Sequence, residues 1–529
     1  MRICRWIGAF ALVGILNCTA MAQARPRPAT QPTTNEHESA THSRDDNPEN
    51  HFSNTQGSIE VHGQTLKYEA TAGQMALNDD SGKRKANVFI VADVKQPTDD
   101  IDTRPITFVF NGGPGAAAVW LHMGTAGPRH IEMNDHGDPP TPPYHVVDNP
   151  DTWLASTDLV FIDPVGTGFS RAASGEKPEQ FYGVQEDIRS VAEVIRLYIT
   201  QHNRWISPKF LAGESYGTTR AAGLSSYLLE QDGIALNGIV LISSVLDFQT
   251  LDFSRGNDLP YALYLPSYTA IAHYYKKLAP DLQNADLSQT LKEVQQWATH
   301  DYLDALAAGR SLTPDQRNAV AKKLSRYTGL SLDVVLKANL RINAGAFRAE
   351  LLADKQEIIG RFDARIAGYN PDPLTMSDEY DPSLAPYLAA YTGAFEWYSR
   401  TVLKYKDDHE FDALSSKVGP WNFGRGSGYL DVATSLQDAM MKSPHMKVMF
   451  CNGLSDLATP YLTADYTIWH MNLSAALRAN ISHNYYEGGH MLYHYQPSRQ
   501  KLGQDIAAFI RSATPHAAGK AEEPDTSNK

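Results

Sequence analysis

The residues with most chemical potential lie in Gly213-Glu214-Ser215-Tyr216-Gly217, a G-x-S-x-G pattern. The apolar run at 209–212 precedes it, and small and apolar residues at helical spacing follow at 218–229. A serine on such a strand-to-helix turn is held out from the backbone as a nucleophile, and the flanking glycines let the chain turn sharply. The free amides at the helix start can then face a developing oxyanion. A serine hydroxyl needs a base, and the base needs a carboxylate to orient it. In the chain order Ser, Asp, His, the candidates are Asp456 in "MFCNGLSDLATP" and His490 in "NYYEGGHMLYH". Taken singly, each has an ordinary reading: a serine in a glycine-rich bend, a turn carboxylate, a surface or core histidine. The ordered trio, each member just past a strand end, points to acyl transfer.

Positioning three such residues requires a sheet whose strands end at one edge. Four segments supply that rhythm, a short continuous apolar run followed by a Gly-, Asp- or Pro-rich turn: "ITFVFNGGPG", "DLVFIDPVGTGFS", "KFLAGESYG" and "KVMFCNGLSD". Helical patterns such as "QEDIRSVAEVIRLYITQHN" lie between some of them. Continuous apolar strands alternating with helices indicate a mostly parallel α/β sheet covered on both faces, with its chemistry at the carboxyl ends of the strands. Ahead of these, 58–94 reads as strands and hairpins. The stretch from 248 to 415 is rich in helix formers and shows no internal repeat, so a helical cap inserted between two parts of one sheet is expected.

The 529 residues allow a large core, and a formal net charge of −13 argues against binding a nucleic-acid backbone. The start, "MRICRWIGAFALVGILNCTAMAQA", has a basic beginning, a short apolar stretch and Ala22-Gln23-Ala24 as a cleavage site. It is expected to be an export signal, giving a periplasmic or secreted protein, and is too short for a comfortable membrane span. Cys18 suggests lipidation, but Asn17 lacks the small side chain that processing favours. Of the three cysteines only Cys451 would survive cleavage, as a small buried strand residue. No H-E-x-x-H or paired Cys/His spacing appears, and no cofactor or metal is expected. His122, His130 and His136 read as solvated loop residues. "GTGFS" lacks the lysine and spacing of a phosphate loop.

The expected division is a signal at 1–24, a polar linker at 25–55, an α/β core at 56–248, a helical cap at 249–415, the rest of the core at 416–512, and a polar tail at 513–529.

Further segments make the chain resemble the serine carboxypeptidases of the α/β-hydrolase fold: "NGGPG" at 111–115, "NPDTW" at 149–153, "DPVGTGFS" at 163–170, "NGLSD" at 452–456, "GGHM" at 488–491 and "YQP" at 495–497. The resemblance implies Ser215 as nucleophile, His490 as general base and Asp456 as its partner. It implies an oxyanion hole from the backbone amides of Gly113 and Tyr216. It also implies that Asn111 and Glu214 bind the terminal carboxylate of a peptide with a free C-terminus. A protonated Glu214 can donate a hydrogen bond to that carboxylate, whereas an ionised one repels it. An esterase or acyltransferase would use the same triad, but relatives that transfer acyl groups from sugar esters tend to carry Asp where Glu214 stands. The chain departs from the family pattern at Val109, where Trp is usual. Ala116, Ala117 and Ala118 replace a Cys-containing continuation, and Leu492-Tyr493 stands where Val-Pro is common.

Overall fold

The computed structural model describes residues 52–97, 100–371, 381–424, 426 and 428–514. The expected signal and most of the expected linker and tail lie outside them. Among the described residues ten strands make one sheet: β1 (Ser53–Val61), β2 (Gln64–Asn78), β3 (Arg84–Gln96), β4 (Ile106–Phe110), β5 (Asp158–Ile162), β6 (Arg171–Ala172), β7 (Lys209–Glu214), β8 (Gly238–Ile242), β9 (Lys447–Gly453) and β10 (Ile481–Tyr486). The order is β1-β2-β3-β5-β4-β7-β8-β9-β10, with β6 beside β3. β1, β2, β3 and β5 pair antiparallel, and from β5 through β10 every pairing is parallel. β1 begins at Ser53, inside the stretch expected to be linker.

The sequence explains the layering. β4, β5, β7 and β8 are buried at every residue, as continuous apolar strands must be when both faces are covered. Val109, Phe161, Phe210 and Val240 face one core with the helices Ala385–Thr401 and Gln496–Ala513. Phe108, Val160, Leu211 and Leu241 face the other with the helices Val184–Gln201, Tyr216–Gln231 and Ala433–Lys442.

The insertion after β8 is helical and has a core of its own, in which Tyr268, Trp297, Tyr302, Tyr327 and Phe347 pack together. Its helices carry ordinary start and stop signals. Pro314–Thr328 opens with Thr313 and Gln316 capping each other's backbone amides and closes on left-handed Gly329. Within the stretch expected to form the cap, the helix Ala385–Thr401 behaves differently. Tyr387, Tyr391, Phe395 and Tyr398 insert into the core of the sheet, where Phe395 stacks on Phe411. Among the described residues no helix is long and apolar enough to cross a membrane.

Two sequence expectations meet different surroundings. His122 and His130 are buried, not solvated: His122 stacks on Phe161 at 4.0 Å, and His130 Nδ1 lies 2.8 Å from the Ile131 carbonyl. Nor do they lie in a loop: His122 opens the short helical segment His122–Ala126 and His130 lies in the strand Arg129–Ile131, and His122 packs against Phe395 and Tyr398 of the helix Ala385–Thr401, which no local pattern around it announces. His136 is exposed. Cys451 is a buried free thiol in β9, as expected.

Candidate active site

The parallel register brings the chemistry to one edge. Phe110 pairs with Gly213, Glu214 with Ile242, and Ile242 with Cys451, so β4, β7, β8 and β9 end side by side. Asn111, Ser215, Ser243 and Asp456 follow directly from those ends. β10 adds His490 after the "EGG" turn.

Ser215 sits between β7 and the helix Tyr216–Gln231 with φ 59° and ψ −131°. A non-glycine residue there is strained, and such strain persists only where the surroundings fix it. They do: the Ser215 amide donates to the Ile242 carbonyl at 3.0 Å. A Cβ on Gly213 would stand 2.2 Å from the Gly217 carbonyl oxygen, so the two flanking glycines are there for close backbone approach. The "NGGPG" turn presses equally hard on the elbow. A Cβ on Gly112 would lie 2.3 Å from the Tyr216 amide nitrogen. Gly113 and Tyr216 line the same pocket as Ser215.

His490 Nδ1 lies 2.8 Å from Asp456 Oδ2, and both side chains are buried. Asp456 Oδ1 accepts from the amides of Ala458 and Thr459 at 2.7 and 3.0 Å. Burial works to raise the Asp456 pKa, yet His490 and these hydrogen bonds hold it below the ordinary aspartate value. For His490, burial opposes the charge, but Asp456 and then Glu214 outweigh it and raise the pKa. With Nδ1 engaged by a carboxylate, the other ring nitrogen is the one that exchanges protons. His490 Nε2 has no hydrogen-bond partner and, like Ser215, belongs to the pocket wall.

Glu214 shares that pocket and is 4% exposed. Burial pushes its pKa up to about 7, offset in part by the charge on His490. The Tyr493 hydroxyl and the Asn111 amide stand close enough to favour its charged form, but neither is seated in a well-formed hydrogen bond. Glu214 Oε2 and Tyr493 Oη are both buried without partners. Asn111 Oδ1 accepts from the Leu121 amide at 3.0 Å, which aims the rest of its amide group. Arg220, paired with Asp187, donates to the Asn111 carbonyl at 2.5 Å and ties this turn to the elbow helix.

All seven residues singled out in the sequence, Asn111, Gly113, Glu214, Ser215, Tyr216, Asp456 and His490, therefore gather at the ends of neighbouring strands. The remaining motifs are scaffold. Asp163 Oδ1 accepts from the Ala118 amide at 2.7 Å, and Asn149 Nδ2 donates to the carbonyls of Thr125 and Gly127.

Sequence reasoning missed several residues of the site. The Thr459 hydroxyl lies 2.8 Å from Asp456 Oδ2, 2.9 Å from the Ser243 carbonyl and 3.2 Å from His490 Nδ1. Ser243 Oγ donates to the His490 carbonyl at 2.6 Å, and the His490 amide donates to the Phe362 carbonyl of the insertion at 2.5 Å. An Asp with Thr three residues later is a turn signal that could have flagged Thr459. Nothing local marks Phe362 or Tyr493.

Comparison with known proteins agrees with this architecture. The model of the family described as serine carboxypeptidase matches residues 63–496. Serine carboxypeptidase-like 36 of Arabidopsis thaliana is 22% identical over 438 residues, covering 80% of this chain and 75% of its own. Carboxypeptidase sxa2 of Schizosaccharomyces pombe is 20% identical over 199 residues, so the match spans 37% of this chain and only 36% of that relative. The crystal structure of the prohormone-processing carboxypeptidase Kex1 from Saccharomyces cerevisiae superposes with a TM-score of 0.55 at 15% identity, covering 84% of this chain and 91% of that one. A family match running from β2 to the start of the last helix takes in every strand end that carries the site, and the chain belongs to the serine carboxypeptidase family.

Proposed function

We propose that this protein removes C-terminal residues from peptides through an acyl-enzyme on Ser215. His490 Nε2 takes the Ser215 proton as Oγ attacks the scissile carbonyl, and Asp456 stabilises the imidazolium that forms. The amides of Gly113 and Tyr216 receive the oxyanion. On collapse the C–N bond breaks, and the proton on His490 passes to the leaving amine, which departs as a free amino acid. Water, deprotonated by His490, then hydrolyses the ester and regenerates Ser215.

The observation that carries this reading is the composition of one pocket. A strained serine and a histidine with a free Nε2 share it with a buried carboxyl that keeps its proton up to about pH 7. A protonated Glu214 donates to the terminal carboxylate while Asn111 supplies a second donor. The export expected from the first 24 residues belongs to the same reading.

Product analysis by mass spectrometry on a mixed peptide library tests it. The expected result is sequential loss of single residues from the C-terminus. Internal cleavage, or turnover of esters alone, would contradict it.

A further inference from the structure

The insertion does more than hold the His490 backbone. Arg361, the residue before Phe362, is exposed and lines the catalytic pocket. Its backbone is fixed on both sides: its amide donates to the Asp381 carboxylate at 3.1 and 3.2 Å, and its carbonyl accepts from Leu457 at 3.0 Å. Its guanidinium lies 5.4 Å from the Phe362 ring centroid, and among the described residues no carboxylate forms an ion pair with it. Asp381 is occupied by backbone amides and Ser383, and Asp456 by His490.

A second cavity adjoins the pocket. Leu251 and Arg361 line both, and Phe253, Tyr264 and Leu457 continue the second. None of Asn111, Glu214 or Trp120 reaches it. With the terminal carboxylate held at Asn111 and Glu214, the leaving residue lies on their side of Ser215. The rest of the peptide must then leave the pocket by another route, and the cavity that shares Leu251 and Arg361 with it lies on such a route. Asn343 and Arg348 complete its polar side, Arg348 lying 3.9 Å from Asp381, and Arg361 stands at its entrance with no carboxylate paired to its guanidinium among the described residues.

We propose that Arg361 pairs with an acidic side chain on the acyl side of the scissile bond, so that peptides with Glu or Asp as the penultimate residue are the preferred substrates. The proposal rests on the carboxypeptidase reading. The contact changes specificity and takes no part in bond making. A single partly exposed ion pair corresponds to a preference of about three- to fivefold.

The test uses matched peptides differing only in Glu, Gln or Lys at the penultimate position, each as free acid and as amide, near pH 6. Wild type should favour Glu over Gln by about three- to fivefold in kcat/KM, chiefly through KM, and Lys should be worst. The Glu preference should shrink toward one as salt rises to about 0.5 M, because exposed charges are screened. Arg361→Gln should bring the Glu:Gln ratio to about one, and Arg361→Lys should keep part of it. Equal rates for Glu and Gln in a wild type that cleaves free acids would overturn the proposal alone. So would an Arg361→Gln enzyme that loses discrimination between acid and amide instead, since Arg361 would then hold the terminal carboxylate. Failure to cleave any of the peptides would overturn the carboxypeptidase reading, and this proposal with it.

Discussion

At Ser215 the backbone geometry and the chemistry coincide. Ser170 and Ser225 are fully buried where Ser215 is half-buried, and their hydroxyls are consumed locally: Ser170 Oγ donates to the Asp163 carbonyl and Ser225 Oγ to the Ala222 carbonyl. Ser215→Ala should therefore lower kcat by a factor on the order of 10⁶ while the protein stays folded. Ser225→Ala should leave kcat nearly unchanged, and kcat together with thermal unfolding of both variants checks this. A Ser215→Ala enzyme retaining a tenth of the activity would remove the nucleophile from the account. The proposed triad was legible in the sequence because Ser215, Asp456 and His490 each follow a strand end in the order the proposed mechanism needs. Ser243 and Tyr493 were not. The contacts of Ser243 to His490 and of Tyr493 to Glu214 join residues from different strand ends, which one sequence does not announce, whereas Thr459 was within reach as a turn partner three residues after Asp456. Tyr493 is instructive, since it stands where the family pattern commonly has Pro and the fold puts its hydroxyl beside Glu214.

At the scale of elements, the close approach of the "NGGPG" turn to the elbow helix lines up the two amides assigned to the oxyanion. Adding one methyl group at Gly112 would push it into the Tyr216 amide, backbone against backbone, with no flexible side chain to yield. Gly112→Ala should cost about 10² in kcat, since displacing catalytic groups by about 1 Å has that effect. KM should change little, and comparing both constants with wild type is the check; an unchanged kcat would separate this turn from the oxyanion hole. The strand-and-turn segments were readable because fully buried parallel strands are continuous apolar runs. The strand order was not, because β5 lies outside β4 and only the pairing reveals it. Nor could periodicity tell that the helix Ala385–Thr401 packs on the sheet: its tyrosines suit a cap core equally well.

For the whole molecule, the buried titratable groups set where in pH the fold is most stable. Burial raises Asp93 to about 8, and Asp163 and Glu214 to about 7. The unfolded chain loses these protons near the ordinary carboxyl values of 3.8 and 4.5, so stability is lost as pH rises from there through 8. Burial lowers His122 and His494 to about 3 and His130 to about 4, while the unfolded chain protonates histidine near 6.5. Stability is therefore also lost as pH falls from 6.5 toward 3. The two slopes oppose each other between about 4.5 and 6.5, where Tm should peak. Thermal unfolding across pH measures this, and Asp93→Asn should flatten the alkaline limb, because the Asp93 carboxyl has no hydrogen-bond partner and His122, 3.8 Å away, is held neutral there by burial. A Tm that keeps rising to pH 8 would contradict the assignment. The same acid-leaning balance governs the proposed activity through Glu214, and the most direct measurement is KM against pH for one dipeptide as free acid and as amide, in wild type and Glu214→Gln. The account predicts that wild type prefers the acid below about pH 7 and that its KM climbs above it, as Glu214 ionises and repels the substrate. Glu214→Gln, which cannot ionise, should flatten that climb. Parallel KM profiles in the two enzymes, or equal cleavage of acid and amide by wild type, would contradict it.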